Sequence, residues 1–247
     1  VYLINFLVVL LGVVFFGFRS EAIVGGDLVT ASDKEALSTV GLSNGCTGVL
    51  ISEKHVLTAA HCISARTTSV VFGLTFQESV RVNIVQVKSH ELYRGTSMGG
   101  ESPDMPSQRP VHDIAILSLE ENVPEGFVPA DVFEPLSLSQ GDALILAGFG
   151  QVNPVTGEGF GVLRKVETVF SFFNDKALEI IFGPTPGKSA CRGDSGGPMY
   201  FEKSSGDLVL IGLTSRGFSQ LGPCSGSGNY TSVEAHRDWI ERGLNEL

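Results

Sequence analysis

The sequence predicts an all-β protein, and three observations carry that prediction. Short apolar runs recur along the chain between turn signals, and Gly and Pro are frequent, at 30 and 11 of 247 residues. Only one stretch, near the C-terminus, has a helical period. Strands in such number close into barrels or stack as a sandwich, and the pattern alone leaves both open. A chain of 247 residues can form one large β unit or two smaller ones, each with a sizeable core.

Taken in order, residues 1–18, from Val1 to Phe18, form the only long apolar run. Ser20-Glu21-Ala22 follows, a small-x-small pattern of the kind a signal peptidase cuts after. Residues 1–22 therefore read as a secretory leader, with an uncleaved membrane anchor as the alternative. Ile23-Val24-Gly25-Gly26 opens the remaining region. Strand-like runs come next at Gly48–Ile51, His55–Thr58, Ser69–Phe72 and Val80–Val85, the last alternating with a period of two. Residues 94–110 are loop by composition, and a loop of that length in a compact domain is usually functional or mobile. Asp113–Leu119 reads as a buried strand that begins with a charge, and the Pro-rich stretch Val123–Pro135 as a connection between two halves. Further strands are expected at Ala143–Ala147, Gly161–Val166, Leu178–Phe182, Pro198–Phe201 and Leu208–Leu213. The segment from Val233 to Leu244 is the helix, with Ser232 placed to cap it and Val233, Ile240 and Leu244 on one face.

The formal charge of −10, unchanged when residues 1–22 are removed, argues against nucleic acid or an anionic membrane surface as a partner. Four cysteines, Cys46, Cys62, Cys191 and Cys224, fit an oxidising compartment and so export. Without a CxxC pair they do not resemble a zinc site, and no metal or other cofactor is expected.

The chemistry concentrates in Cys191-Arg192-Gly193-Asp194-Ser195-Gly196-Gly197-Pro198. A serine flanked by an aspartate and glycines has little helix or strand propensity, and the glycines let the backbone turn tightly and approach another molecule. The run suits an exposed nucleophile beside bare amide N–H groups; alone it could equally be a turn between strands. A serine hydroxyl is a weak nucleophile until a base takes its proton, and histidine does so near neutral pH.

Thr58-Ala59-Ala60-His61-Cys62, Asp113-Ile114-Ala115-Ile116-Leu117 and Gly193-Asp194-Ser195-Gly196-Gly197-Pro198 resemble, in order, the three signature motifs of the chymotrypsin-like serine endopeptidases. The resemblance runs through Gly148-Phe149-Gly150, Ser215-Arg216-Gly217 and Tyr230-Thr231-Ser232-Val233 and covers nearly all of the chain after Ala22. It implies two six-stranded antiparallel β-barrels with the active site between them: a first barrel over about residues 23–130, a second over about 131–232, and the helix over about 233–244. Within residues 23–247 it assigns Ser195 as nucleophile, His61 as base, Asp113 as the imidazole's orienting partner, and the Gly193 and Ser195 amides as oxyanion hole. Ser215 is similar to the family serine that bonds this aspartate. His55, His90, His112 and His236 are left as surface or structural residues.

The resemblance also implies the disulfides Cys46–Cys62 and Cys191–Cys224, and an ion pair between Asp194 and the α-ammonium of Ile23 once the chain is cut after Ala22. Where most of the family carries Arg or Lys before this junction, Ala22 stands here, so release by signal peptidase is expected, with a separate activating protease as the rival. Ser189 lies at the pocket-floor position, Gly217 and Gly228 at the walls, Arg192 at the rim, and Arg216 where an aromatic residue is usual. A neutral floor disfavours cleavage after Arg or Lys and suits large apolar or aromatic residues, whereas Arg216 and Arg192 raise the alternative of a preference for acidic residues. The loop Leu74–Ser79 has no carboxylate cluster, so the calcium site of some relatives is not carried over. The expected protein is a secreted monomer acting on protein or peptide substrates and open to proteinaceous inhibitors, with no stable membrane association once the leader is removed. The opposing reading is a catalytically inactive binding protein on the same scaffold.

Overall fold

The computed structural model describes residues 23–93, 112–133, 137–174, 178–217, 224 and 226–247. The expected leader and the loop over 94–110 lie outside the described residues. Among the described residues thirteen strands and two short α-helices follow one another. Strand β1 (Asp27–Leu28) and the single turn α1 (Glu35–Ser38) precede the first barrel. That barrel is formed by β2 (Thr39–Leu42), β3 (Thr47–Leu50), β4 (His55–Thr58), β5 (Ser69–Phe72), β6 (Val80–Ser89) and β7 (Ala115–Leu119), closed in the order β2-β3-β4-β7-β6-β5. Its interior is filled by Val40, Leu42, Leu50, Val56, Val70, Phe72 and Leu117.

The second barrel comprises β8 (Ala143–Gly148), β9 (Arg164–Asn174), β10 (Glu179–Phe182), β11 (Pro198–Glu202), β12 (Leu208–Gly217) and β13 (Gly228–Ser232). Its sheet runs β9-β10-β13-β12-β11-β8, and β8 pairs back onto β9 to close it. All strand pairs in both barrels are antiparallel. The expected two-barrel architecture is therefore present. A 3-10 turn at Glu234–His236 leads into α2 (Arg237–Glu246). Ser232 Oγ accepts the Ala235 N–H at 3.2 Å, so Ser232 caps that turn; Val233 and Ile240 are buried in the core and Leu244 packs against it as the spacing predicts, and Trp239 joins them.

Each barrel ends on the other. Strand β1 precedes the first barrel yet pairs with β9 of the second, Asp27 opposite Lys165. Helix α2 follows the second barrel and packs on the first, where a side chain on Gly243 would strike Ile116. One core cluster joins Leu57, Ile114 and Ile116 of the first half to Tyr200, Leu210, Leu213, Trp239 and Ile240 of the second. Residues 23–28 thus serve the second barrel, with Ile23 in its core and Asp27–Leu28 paired to β9.

Several strands outrun their sequence signal. Strand β9 continues past the expected end at Val166 to Asn174, with Val166, Thr168 and Phe170 buried on alternate positions and Phe172 and Phe173 exposed at its far end. Strand β2 is a short Thr-Val-Gly-Leu run with no clear alternation, buried on both sides by packing that is not local.

Candidate active site

Strand β4 pairs with β7 so that Thr58 lies opposite Ala115. This register sets the turn after β4, which carries His61, beside the residues before β7, which include Asp113. The Cys46–Cys62 disulfide ties that turn to the loop before β3. Asp113 is fully buried and accepts the His61 backbone N–H at 2.9 Å through Oδ1. Its Oδ2 lies 2.7 Å from His61 Nδ1 and accepts the Ser215 hydroxyl at 2.6 Å. With an acceptor at Nδ1 the imidazole proton sits there, leaving the Nε2 lone pair for other use. Burial alone would raise the Asp113 pKa, but the hydrogen bonds and charge of His61, with the Ser215 bond, hold it below the usual carboxylate value. Ser215 comes from β12 and Thr231 of β13 donates to the Asp113 carbonyl at 3.1 Å, so the second barrel locks a residue of the first.

The Ser195 loop adjoins the His61 turn, with Cys62 Sγ 3.5 Å from the Ser195 carbonyl oxygen. Thr47 N–H donates to the Ser195 carbonyl at 2.9 Å and Thr47 Oγ1 to the Gly193 carbonyl at 2.8 Å, so a threonine of β3 clamps the loop from across the cleft. Gly193 has φ +103° and Gly196 φ +76°, conformations that side chains rarely adopt. The N–H groups of Asp194, Gly196 and Gly197 donate to Cys191, Thr214 and Asp194 carbonyls at 3.0, 2.8 and 2.8 Å. Among the described residues no acceptor is found for the N–H groups of Gly193 and Ser195, and no hydrogen bond joins Ser195 Oγ to His61. Such a bond is often long before substrate binds.

Asp194 is 1% exposed and accepts N–H bonds from Cys191 at 2.7 Å and Gly150 at 2.8 Å. Burial outweighs these bonds and pushes its pKa up to about 7. Side chains on Gly148 or Gly150 would collide with its carboxylate, which accounts for the Gly-Phe-Gly motif. Ile23 is fully buried among Leu144, Leu146, Val166, Met199 and Tyr230. Next to it, the Val24 carbonyl accepts the Ser189 N–H at 3.2 Å, so the start of the region is bonded to the expected pocket floor.

The pocket residues divide. Ser189 is 5% exposed, and its hydroxyl donates to the Ala190 carbonyl at 3.1 Å. Gly217 pairs with Gly228, but a Cβ on Gly217 would meet nothing described within 4 Å, whereas one on Gly228 would meet the Phe182 ring at 2.7 Å. The Gly228 side is thus filled by Phe182 and not open. Arg192 is exposed. Arg216 is neither solvated nor free: its guanidinium forks onto the buried Glu179 carboxylate at 2.5 and 2.9 Å. Asn229 and Asn174 donate to the same carboxylate at 2.9 and 3.2 Å. Asn229 is buried in β13, so Asn229-Tyr230-Thr231 is strand and not an exposed glycosylation site. The Cys191–Cys224 disulfide forms as expected and ties the nucleophile loop to the chain beyond β12.

Sequence reasoning missed Thr47 and Glu179, which belong to no motif. Of the other histidines, His55 Nδ1 lies 2.8 Å from Ser52 Oγ, whereas His90, His112 and His236 converge in one cluster.

A two-barrel β protein with an aspartate-bound histidine facing a glycine-rich serine loop across the inter-barrel cleft has the architecture of a chymotrypsin-like serine protease. Residues 23–240 match the family model Trypsin, and the chain belongs to that family. It is 31% identical to trypsin 5G1 of Aedes aegypti over 90% of this chain and 85% of that protein. It is 28% identical to glucanase inhibitor protein 1 of Phytophthora sojae over 90% of this chain and 88% of that one. Among solved structures it resembles neuropsin, a serine protease expressed in the limbic system of mouse brain, with TM-score 0.70 and 23% identity over 89% of this chain and 98% of that one.

Proposed function

We propose that the protein is a secreted serine endopeptidase that cleaves peptide bonds through an acyl-enzyme. The observation that carries this reading is the His61–Asp113–Ser215 chain beside a loop whose Gly193 and Ser195 N–H groups have no acceptor among the described residues. His61 Nε2 takes the Ser195 proton as Oγ attacks the substrate carbonyl and returns it to the leaving amine; water then repeats the sequence on the acyl-enzyme. Asp113 fixes the tautomer and stabilises the imidazolium. The two free N–H groups receive the negative oxygen, each worth about 10²–10³ in rate.

Ile23 released after Ala22 supplies the cation that Asp194 lacks, and its N-terminal sequencing in secreted protein tests the release; a start upstream of Ile23 overturns it. The neutral Ser189 floor and the engagement of Arg216 by Glu179 favour large apolar or aromatic residues over Arg, Lys or acidic residues before the scissile bond. Arg192 remains the one exposed cation of the two.

The competing reading is an inactive binding protein, favoured by one relative, a glucanase inhibitor protein. Fluorophosphonate labelling of protein beginning at Ile23 separates the two. Labelling lost in Ser195→Ala supports the protease, and no labelling supports the binding protein. A peptide-library profile of the labelled protein then tests the preference, and dominant cleavage after Glu or Asp overturns it.

A further inference from the structure

Behind the catalytic cleft three histidines from separate parts of the chain meet. His90 directly follows β6, His112 directly precedes Asp113, and His236 ends the 3-10 turn before α2. One ring nitrogen from each lies within 4.8 Å of the others. His90 and His236 are buried, at 8% and 3% exposure. The His90 ring stacks on His112 with centroids 4.3 Å apart, and His236 stands nearly perpendicular to both. From these contacts we infer that His90, His112 and His236 form a binding site for a divalent transition-metal ion of the zinc type, separate from the catalytic residues.

His236 is already set as a ligand, whereas His90 and His112 must turn: their parallel rings have to rotate out of the stack, and His90 has to give up the Leu92 N–H that its Nδ1 accepts at 3.2 Å, because a neutral imidazole has one lone pair. His236 Nδ1 donates to the Ser232 carbonyl at 2.7 Å, which fixes the tautomer and leaves its Nε2 lone pair pointing at His112 Nδ1, 2.9 Å away. A ligating histidine commonly has its second nitrogen held by a carbonyl in this way. Two imidazole nitrogens each about 2.0–2.1 Å from one tetrahedral zinc are about 3.3 Å apart, so a small opening of the His112–His236 pair admits the ion. The His112 Nδ1 proton leaves on binding and the ring takes one up at Nε2, so the ligand stays a neutral imidazole. Three imidazoles with a fourth position for water match zinc, and also copper or nickel, and not calcium or magnesium, which take oxygen ligands. Trp239 closes one side, its ring centroid 5.0 Å from that of His90, and is itself held by an indole N–H bond to Glu91 at 2.9 Å. Glu91 places a negative charge beside the cluster and Arg242 a positive one, so the imidazoles carry the affinity.

A bound ion clamps three segments that only the fold brings together. His90 N–H already donates to the Ile114 carbonyl at 3.0 Å, and Ile114 N–H to the His112 carbonyl at 3.0 Å, so the clamp grips the backbone on both sides of Asp113. An ion that binds the folded chain and not the unfolded one raises the melting temperature.

The test is calorimetric titration of ZnCl2 into chelator-treated full-length His61→Ala protein, in which the catalytic imidazole cannot compete. The expected result is one ion per chain and a melting temperature raised by about 5–10 °C at a hundredfold excess over Kd. His112→Gln and His90→Gln should each weaken binding at least tenfold and abolish most of the rise. If a variant fails to fold, ring-proton NMR of the His61→Ala protein decides: zinc must shift the resonances of His90, His112 and His236 and spare His55. No binding of Zn2+, or binding that leaves those three rings unmoved, overturns the site.

Discussion

Asp113 and Asp194 are both buried carboxylates, and they are in opposite electrostatic states. Asp113 has an imidazole and a hydroxyl on its oxygens and a depressed pKa. Asp194 has two backbone N–H groups, no side-chain cation among the described residues, and a pKa raised to about 7. A buried carboxylate with a complete set of partners is at rest; one without a cation is unfinished. On the proposed function, the contrast means that the Asp113 side of the site is assembled by folding alone, whereas the loop that Asp194 anchors awaits the ammonium of a released Ile23. Glu179 marks the other limit, an acid with Arg216 as a permanent partner.

The largest break of this comparison is Asp113→Asn in protein beginning at Ile23. It should lower kcat about 10⁴-fold by stabilising the wrong imidazole tautomer, read from peptide hydrolysis. An effect below tenfold would deny Asp113 its role. Next, protein retaining residues 1–22 should be about 10²- to 10⁴-fold less active than protein starting at Ile23, the equivalent of about 3–5 kcal/mol for a buried charge lacking its partner. Equal activity would mean that Asp194 needs no ammonium.

A pH series sharpens the point. A carboxylate whose folded pKa is raised from 3.8 to about 7 opposes folding once pH exceeds its ordinary value. In urea titrations the intact chain should therefore lose about 4 kcal/mol of stability as pH rises from 4 through 7, and Asp194→Asn should remove most of that loss. Released Ile23 reverses the trend. Its ammonium, with a pKa raised above about 7.7–8.0, contributes fully below that range and stops contributing as pH climbs through the raised value. The smallest effect concerns Glu179→Gln, which frees Arg216. Cleavage near acidic residues should rise no more than about fivefold, the scale of an exposed ion pair, and a larger rise would show Arg216 already facing substrate.

The sequence motifs marked the candidate site because each is a short local run. His61, Asp113 and Ser195 each sit in a short run whose residue types follow from the task, and both disulfides form as the resemblance implied. The barrels were legible from apolar runs, although β2 was not, since its burial depends on partners distant in sequence. Arg216 looked like a solvated or substrate-facing cation because Glu179 lies 37 residues away and carries no motif. The three-histidine cluster was hidden for the same reason: no spacing of 90, 112 and 236 announces a contact that only the closure of β7 against α2 creates.

The crossed ends of the chain have a consequence for folding. Strand β1 leaves the first half to complete the sheet of the second, and α2 leaves the second half to cover the first. Neither barrel can melt without unseating an element and a shared core that the other needs. Heating should therefore give one transition, with calorimetric and van't Hoff enthalpies equal, although two closed barrels would suggest two.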